Sequence, residues 1–272
     1  AAPAVDHWDE PTAAAEPDAR ATRVAAFVAA ADGLETAGLC STDAIEVAFA
    51  NSAGQRLAGR ATTAQMDGIA RTGVADGSAR AASVRLAGLD GGPLGSHPMA
   101  IGIGFDSEGT PKRRVDLVRS GTTAGLIHDR RTAKALHAAS TGNAIPGAGP
   151  FGAMPANLVL EAGASTPDAL VAGVERGLLV TDFWYTRVLD PRTMVVTGLT
   201  RNGVWLIEDG RVGPPVTNMR FTQSYLDALG PGAIRGVGSD ATLVGGAAFD
   251  IGGYVVPSLH LASWNFTGGA KG

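Results

Sequence analysis

The chain has 272 residues and a formal net charge of −4, with 45% hydrophobic and 18% charged residues. This length supports one large domain or two smaller ones with a hydrophobic core, whereas the acidic balance excludes a broad basic surface for nucleic acid. No apolar run approaches the about 20 residues of a membrane helix, so the composition predicts a soluble globular protein.

The single cysteine and the first ten residues bear on the cellular compartment of the protein. Cys40 is the only cysteine, which excludes an internal disulfide and predicts a reducing, cytoplasmic location, with Cys40 itself a small buried hydrophobic residue. The first ten residues lack the basic start and the apolar segment of a signal peptide. They also lack an initiator methionine, so we expect the sequence to begin within a longer gene product or after processing.

One helix and one sheet are predicted in the first 80 residues. Apolar residues follow helical spacing before a stop at Gly33 or Gly38. They are Val24, Phe27, Val28, Ala31 and Leu34. From residue 45 onward, short alternating runs are broken at Asn51–Gly54 and at Gly59, which predicts an antiparallel meander. Glycine and proline then cluster in residues 81–99 and the periodicity disappears, so we place a domain boundary between residues 90 and 91.

Strands and turns dominate the second part, residues 91–272. Ser120–Gly121 is predicted to join two short strands, and residues 157–163 form another strand. A short helix is predicted with Thr166 as N-cap, Pro167 in its first turn and Gly177 at its end.

Further along, Asn202–Gly203 and Asp209–Gly210 lie between apolar runs, which predicts two hairpin turns. A last short helix carries Tyr225, Leu226 and Leu229 on one side, and a strand closes the chain. The fold class is therefore α+β, with a larger, mainly antiparallel C-terminal part.

The histidines do not form a recognisable metal motif. A helical zinc site needs two histidines one turn apart, but His128 and His137 are separated by nine residues, about 13.5 Å on a continuous helix. His7, His97 and His260 are isolated in the sequence. A nucleophile elbow and a phosphate-binding loop are also missing, so the sequence shows no autonomous active site.

Two polar clusters allow two interpretations. The first is Asp106, Glu108, Arg113 and Arg114, around a Gly-Pro turn. The second is Trp184, Tyr185, Arg187, Asp190 and Arg192, on a strand and its turn. Both fit ordinary turn chemistry and surface ion pairs, which contribute little stability. Both also fit a rim that receives an extended peptide through strand-edge hydrogen bonds.

Several long stretches resemble the TldD/PmbA family, which is also known as modulators of DNA gyrase. They are "FDSEGTPKRRVDLVRSGTTAGLIHDRRTA", "STGNA", "GVERGLLVTDFWYTRVLDPRTMVVTGLTRNGVWLIEDGRV" and "VTNMRFTQS". These stretches cover most of residues 100–225, in the order of the family's C-terminal domain. Residues 1–88 resemble the later part of its N-terminal α/β domain. The resemblance thus implies a fragment of an α/β domain (residues 1–90) followed by a β-rich domain (residues 91–272).

The resemblance also implies a cytosolic metallopeptidase complex. In this family, a TldD-like subunit carries His-Glu-x-x-x-His and a cysteine ligand for zinc, and it pairs with a TldE-like (PmbA) subunit to trim unfolded or leader peptides. This sequence has no His-Glu-x-x-x-His, and its end offers His260 but no cysteine. It looks shortened by the first part of the N-terminal domain and by a block near residue 90, where the metal helix would fall. The remaining text resembles the TldE-like subunit, in which His128 and His137 are not ligands.

We therefore expect a TldE/PmbA-like subunit with no metal of its own, whose zinc lies in a TldD-like partner and whose substrate is an unfolded peptide. Nucleic acid and membrane are not expected partners. The expected peptide-rim or interface residues are Asp106, Glu108, Arg114, Tyr185, Thr186 and Arg220. Two alternatives stay open. One is a self-sufficient zinc peptidase using His97, His128 and His260, and the other is a non-enzymatic homodimer that binds peptides.

Overall fold

The structure is a computed structural model that describes residues 7–72, 76–89, 103–147, 152–244 and 253–269. The predicted boundary at residue 90 and the candidate ligand His97 lie outside these ranges. The architecture is α+β with mostly antiparallel sheets, as the sequence predicts.

The N-terminal part is a three-stranded meander covered on one face by helices. Its strands are β1 (Glu35–Ala50), β2 (Arg56–Arg71) and β3 (Asp76–Ser83), in the order β1-β2-β3. The register pairs Cys40 with Met66, and both side chains pack, half-buried, against a core of Ala64, Leu86 and Leu89. Burial raises the pKa of the Cys40 thiol, an effect that Arg23 and Arg20 partly oppose. The predicted meander is confirmed.

Two helices, α1 (Glu10–Ala13) and α2 (Pro17–Ala30), lie on this sheet. The ring of Phe27 sits directly over Gly68, where a Cβ would be 2.7 Å from it. The predicted helix is confirmed, but it ends at Ala30, before the predicted glycine stop. Leu34 lies beyond the end of the helix. Val28 is exposed, because the helix contacts the sheet mainly through the side of Phe27.

Short elements connect the N-terminal meander to the C-terminal sheets. They are β4 (Val118–Arg119), β5 (Thr122–Thr123), α3 (Arg130–Ala135), β6 (Leu158–Val159) and α4 (Pro167–Ala172). Ser120 and Gly121 both have positive φ and join β4 to β5, as predicted. The Thr166 hydroxyl accepts from the Ala169 amide at the start of α4, also as predicted, but the helix ends at Ala172. The expected stop, Gly177, belongs to the next strand.

Two sheets dominate the C-terminal part. The first six strands of these sheets, in chain order, are β7 (Arg176–Val180), β8 (Phe183–Asp190), β9 (Val195–Thr200), β10 (Val204–Glu208), β11 (Arg211–Pro215) and β12 (Met219–Ser224). The remaining elements are α5 (Tyr225–Ala228), β13 (Ile234–Val237), β14 (Thr242–Val244), β15 (Tyr254–Val256), β16 (Leu259–Leu261) and β17 (Phe266–Gly269). One sheet has the order β11-β10-β7 and the other β17-β12-β9-β8. Where one closing strand was predicted, the chain forms three, and Leu226 and Leu229 around α5 are exposed.

The two predicted hairpin turns have different outcomes. Asp209 and Gly210, with φ of 49° and 73°, join β10 to β11 as a tight hairpin. Asn202–Gly203 is not a hairpin turn, because β9 and β10 lie in different sheets. Here the chain bends at Asn202, beside Thr181 and Asp182 of the neighbouring segment. The Thr181 amide donates to the Gly203 carbonyl, so hydrogen bonding continues across the bend.

Apolar contacts pack the N-terminal meander on the C-terminal part at both ends of the meander. At the tip of the β1–β2 hairpin, the Phe49 ring lies against Gly109, and a Cβ on Gly59 would meet Ile103 and Phe105. At the other end, Ala82 packs with Leu243 and Val255. These contacts fix the meander against the loops that carry half of the predicted site residues.

Candidate functional site

The six residues predicted from the sequence lie in three places. Asp106 and Glu108 share a turn beneath the β1–β2 hairpin. Arg114 lies in the loop that follows, whereas Tyr185 and Thr186 lie on β8 and Arg220 on β12 of one sheet. The structure therefore brings the last three into one sheet and keeps the first three at the junction with the N-terminal part.

Asp106 is a buried turn residue whose two carboxylate oxygens both accept hydrogen bonds from backbone amides. It is 4% exposed, and one carboxylate oxygen accepts from the amides of Glu108 (3.0 Å) and Thr110 (2.8 Å). The other oxygen accepts from the Ala144 amide at 2.9 Å. Backbone amides are good partners for a buried carboxylate, so Asp106 ties the 106–110 turn to the "STGNA" loop.

Glu108 fixes the start of α3. Its carboxylate accepts from the Arg130 amide at 2.8 Å. The Arg130 side chain in turn donates to the Thr110 hydroxyl at 3.1 Å, and the Gln55 side chain donates to the Gly109 carbonyl at 2.6 Å. These bonds connect the β1–β2 hairpin, the turn and α3 into one unit.

Arg114 lies in an exposed ion-pair network. Its guanidinium is 3.0 Å from both Asp116 and Glu161, and Arg119 contacts the second oxygen of Asp116. Hydrogen bonds donated by Arg119 and Arg114 lower the pKa of Asp116, and the hydrogen bonds that Arg114 donates to Asp116 and Glu161 raise the pKa of Arg114. Because these groups are exposed, solvent screens the network and it contributes little stability.

Strand β8 is an edge strand with apolar side chains in solvent. It pairs only with β9 among the described residues, and every residue from Phe183 to Leu189 is exposed. A bulge interrupts the ladder between Trp184 and Arg187, and Tyr185 within it has φ of 55°. The Arg187 guanidinium lies 3.6 Å above the Tyr185 ring. Such an unpaired edge is a template for a further strand.

Arg220 lies on the outer face of the same sheet. The ladder pairs Arg220 with Leu199, and Leu199 with Trp184, so the three side chains project on one face in a row across β12, β9 and β8. Arg201 follows Leu199 by two residues, and its guanidinium lies 4.4 Å from the Trp184 ring centroid.

The inner face of the sheet is an aromatic core that holds β8 in place. Phe183 stacks on Trp264 at 5.1 Å and meets the fully buried Phe221 edge-on at 4.9 Å. Tyr225 lies 6.1 Å from Trp264, and burial raises the pKa of its phenol. The aromatic packing stabilises the edge strand from below, while its outer side stays open.

Asp182 is a site residue that the sequence analysis missed. Asp182 is 9% exposed and directly precedes β8. One of its carboxylate oxygens lies 3.6 Å from the guanidinium of Arg80 on β3. The other oxygen has no hydrogen-bond partner among the described residues. Burial is the main cause of its raised pKa, which Arg80 partly opposes and Asp67 reinforces. Asp67 and Arg80 form an ion pair at 3.0 Å. The contact between Arg80 and Asp182 joins the meander to the β8 sheet, although the two residues are about 100 positions apart in the chain.

The described histidines occupy different elements. The His128 amide donates to the Thr141 hydroxyl at 2.7 Å, and its Nδ1 is buried with no hydrogen-bond partner in the described part of the chain. His137 follows α3 with φ of 51°, and His260 lies on β16. Within the described ranges, no three His, Cys, Asp or Glu side chains are grouped to hold a metal ion. The described histidines therefore do not come together to hold a zinc ion, and His97 lies outside the described ranges.

A family model decides the relationship. The PmbA/TldA metallopeptidase C-terminal domain matches residues 94–268, more than half of the chain. The chain belongs to the PmbA/TldD family. The resemblance found in the sequence is therefore confirmed.

Solved structures show the same fold. TldE from Thermococcus kodakarensis has a TM-score of 0.77 and 16% identity, over 98% of this chain and 78% of that chain. A proposed modulator of a DNA gyrase from Thermotoga maritima has a TM-score of 0.73 and 15% identity, over 97% and 77% of the two chains. A proposed modulator of DNA gyrase from Bacteroides thetaiotaomicron has a TM-score of 0.69 and 17% identity, over 98% of this chain and 75% of that chain. No curated protein matches the sequence.

The α+β class with a β-rich C-terminal part is confirmed for this PmbA/TldD family member. In the part of the chain that the structure describes, no helix has the length and apolar character needed to cross a membrane.

Proposed function

We propose that this chain is the TldE/PmbA-like subunit of a cytosolic metallopeptidase complex. It holds an unfolded or leader peptide along the outer edge of β8, and a TldD-like partner supplies the zinc and the general base. The observation that carries the proposal is β8 itself, an eight-residue edge strand with exposed Trp184 and Tyr185, in which Phe183 packs on Trp264. An added strand gains main-chain hydrogen bonds there whatever its sequence.

The other sheet edges are less suited to a peptide. Strand β11 ends in Pro214–Pro215, which remove two backbone donors. Strand β17 has only four residues. Strand β1 is long, but its one aromatic residue, Phe49, packs against Gly109. Strand β8 has an aromatic run and no proline, which favours it as the receiving edge.

Each predicted residue has a role in this proposal. Tyr185 and Thr186 form the bulge that presents the edge, and Arg220 contacts peptide side chains from the outer face. Asp106 and Glu108 shape the junction between the domains, proposed at residues 1–90 and 91–272, and Arg114 contributes an exposed interface. Backbone recognition fits a substrate that is unfolded, since the backbone groups of an unfolded segment are free to pair with the edge of β8.

Zinc content and peptide turnover test the division of labour. We expect zinc near zero in the purified chain, zinc near one per complex after mixing with a TldD-like subunit, and turnover only in the mixture. One zinc per isolated chain would overturn the proposal and return His97, His128 and His260 as ligands. Peptide binding without turnover, even with the partner, would favour the non-enzymatic homodimer.

Hydrogen exchange locates the peptide. With an unfolded peptide bound, amides of residues 183–190 should exchange more slowly, because the added strand bonds them. Strand β11, the edge of the neighbouring sheet, is the internal control and should not change. Protection of β11 or β1 instead of β8 would assign the peptide to another edge.

A further inference from the structure

We propose that the outer face of the β8 sheet selects acidic peptides, which rests on the proposed peptide binding at β8. Three arginines and one tryptophan define this arginine face: Arg187, Arg201, Arg220 and Trp184. They come from β8, β12 and the end of β9.

The strand register places these side chains on one face. Trp184, Leu199 and Arg220 form one row. Arg187 pairs with Thr197, two residues before Leu199, and Arg201 lies two residues after it. Because side chains two residues apart on a strand share a face, the arginines surround Leu199 on the side opposite the buried Phe221.

The arginine face has positive charge without matching carboxylates. No Asp or Glu of the described chain is within ion-pair distance of Arg187, Arg201 or Arg220, whereas Arg80, Arg114 and Arg119 each have such a partner. The carboxylate of Asp182 interacts with Arg201 only at longer range. An unpaired guanidinium keeps its donors available for a ligand carboxylate.

Two of the guanidinium groups are already positioned. Arg187 lies over the Tyr185 ring at 3.6 Å and Arg201 over the Trp184 ring at 4.4 Å. Stacking on an aromatic face restricts the side chain while its N–H groups remain at the rim. Less ordering is then required when a carboxylate binds.

The geometry also predicts where the acidic residues of the peptide lie. A strand added to β8 would run about 4.8 Å from it, with every second side chain on the arginine face. Glutamate or aspartate at alternate positions would therefore lie next to Arg187 of β8, and the positive charge of Arg201 and Arg220, which lie one and two strands further in, would add to the attraction. The intervening side chains would project from the opposite face of the sheet. Guanidinium and indole groups can also bind single-stranded nucleic acid, but the net charge of −4 disfavours a polyanion as long as DNA.

Fluorescence anisotropy with labelled ten-residue peptides tests this selection on the full chain. The probe alternates glutamate with alanine, and the matched peptide replaces each glutamate with glutamine. We expect the glutamate peptide to bind about tenfold more tightly at low salt and to lose this advantage at high salt. Arg187→Gln with Arg220→Gln should remove the difference. Arg211→Gln with Arg235→Gln removes the same charge at exposed sites elsewhere and should preserve it.

The outcomes separate this inference from the function on which it rests. Equal binding of both peptides, with β8 amides protected, would overturn acidic selection and leave peptide binding at β8 intact. Binding of neither peptide would overturn both. If the control variant also loses the preference for the glutamate peptide, the preference comes from the net charge of the chain and the inference is wrong. If oligo-dT binds more tightly than the glutamate peptide, the arginine face is a nucleic-acid site instead.

Discussion

Asp106 and Asp182 are both buried carboxylates, yet their surroundings have opposite consequences. Asp106 accepts three backbone hydrogen bonds, so its negative charge is compensated where it lies. Asp182 has one oxygen without a hydrogen bond in the described chain and a single arginine at 3.6 Å. The first is a structural anchor, and the second is a buried charge that the fold tolerates poorly.

Replacing Asp106 should destabilise the junction in a graded way. Asp106→Ala leaves three backbone amides without acceptors, which we expect to lower the free energy of unfolding by about 3 kcal/mol. Asp106→Asn keeps one acceptor oxygen and should cost about half as much. Urea denaturation measures both, and equal costs for the two variants would contradict the hydrogen-bond account.

Asp182 should make stability depend on pH. Burial raises its pKa in the folded chain, so the folded state binds the proton more tightly than the unfolded state. The resulting stabilisation is complete below the unfolded pKa of about 3.9 and is lost as pH rises through the higher folded pKa. Asp182→Asn cannot titrate, so its melting temperature at pH 7 should exceed that of the parent chain.

Asp190 provides a control of opposite sign. Hydrogen bonds from Thr193 and Arg192 lower the pKa of its carboxyl. Its stabilising contribution is present above the unfolded pKa and is lost as pH falls through the lower folded one. Asp190→Asn should therefore lower the melting temperature at pH 7. If both variants shift it in the same direction, the assignment of Asp182 is wrong.

The sequence could identify one of these two aspartates but not the other. Asp106 precedes a Ser-Glu-Gly turn, and aspartate commonly bonds the amides that follow it. Asp182 has no such local signal, because its burial depends on Arg80 and Asp67 of another sheet. The arginine face is also invisible before the register is known, since Arg187, Arg201 and Arg220 are far apart in the chain.

Among the elements, adjacent residues determine some of the caps and turns, whereas strand pairing between distant residues determines others. The Thr166 cap and the Asp209–Gly210 turn depend on adjacent residues and were predicted correctly. Asn202–Gly203 has the same turn chemistry, yet it forms a bend because its flanking strands find partners in two different sheets. The end of α4 was also missed, since the tertiary contacts of residues 176–180 draw them into β7.

Gly109 tests the contact between the β1–β2 hairpin and the turn. Its φ of 70° is unfavourable for alanine, and a Cβ would lie 2.4 Å from the Phe49 ring. Gly54, at the hairpin tip, has φ of 81° and no atom within 4 Å of such a Cβ. We expect Gly54→Ala to cost about 1 kcal/mol from the backbone alone, and Gly109→Ala to cost about 2 kcal/mol more because Phe49 must move.

Chemical denaturation of the two glycine variants compares them directly. Since both replacements carry a similar backbone penalty, their difference reports the packing of Phe49. A truncated Phe49→Ala background should reduce that difference. Persistence of the full difference without the ring would show that Gly109 acts through its backbone only.

At the scale of the whole molecule, the described residues leave apolar side chains of β8 in solvent. Val188 and Leu189 are 57% and 58% exposed, and they follow Phe183, Trp184 and Tyr185, which are also exposed. Single exposed apolar residues are ordinary, whereas a contiguous apolar patch is typical of an interaction site.

Val188→Lys should distinguish a covered edge from an ordinary surface. Val188 is 57% exposed, so the substitution should leave the melting temperature of the isolated chain within about 1 °C, since surface changes have small effects. Affinity for the uncharged glutamine peptide, or assembly with a TldD-like subunit followed by sedimentation velocity, should fall about tenfold because a charge is placed on the contacting edge. Unchanged binding of both ligands would exclude β8 from either interface.

The open edge of β8 also has a consequence for synthesis in the cell. An open edge strand can also pair with the same strand of a second copy, and an aromatic edge promotes aggregation when nothing covers it. We therefore expect the yield of soluble chain to depend on the ratio in which it and its occupant are produced. Expressed in excess it should accumulate in inclusion bodies, and matched translation of a partner should rescue it.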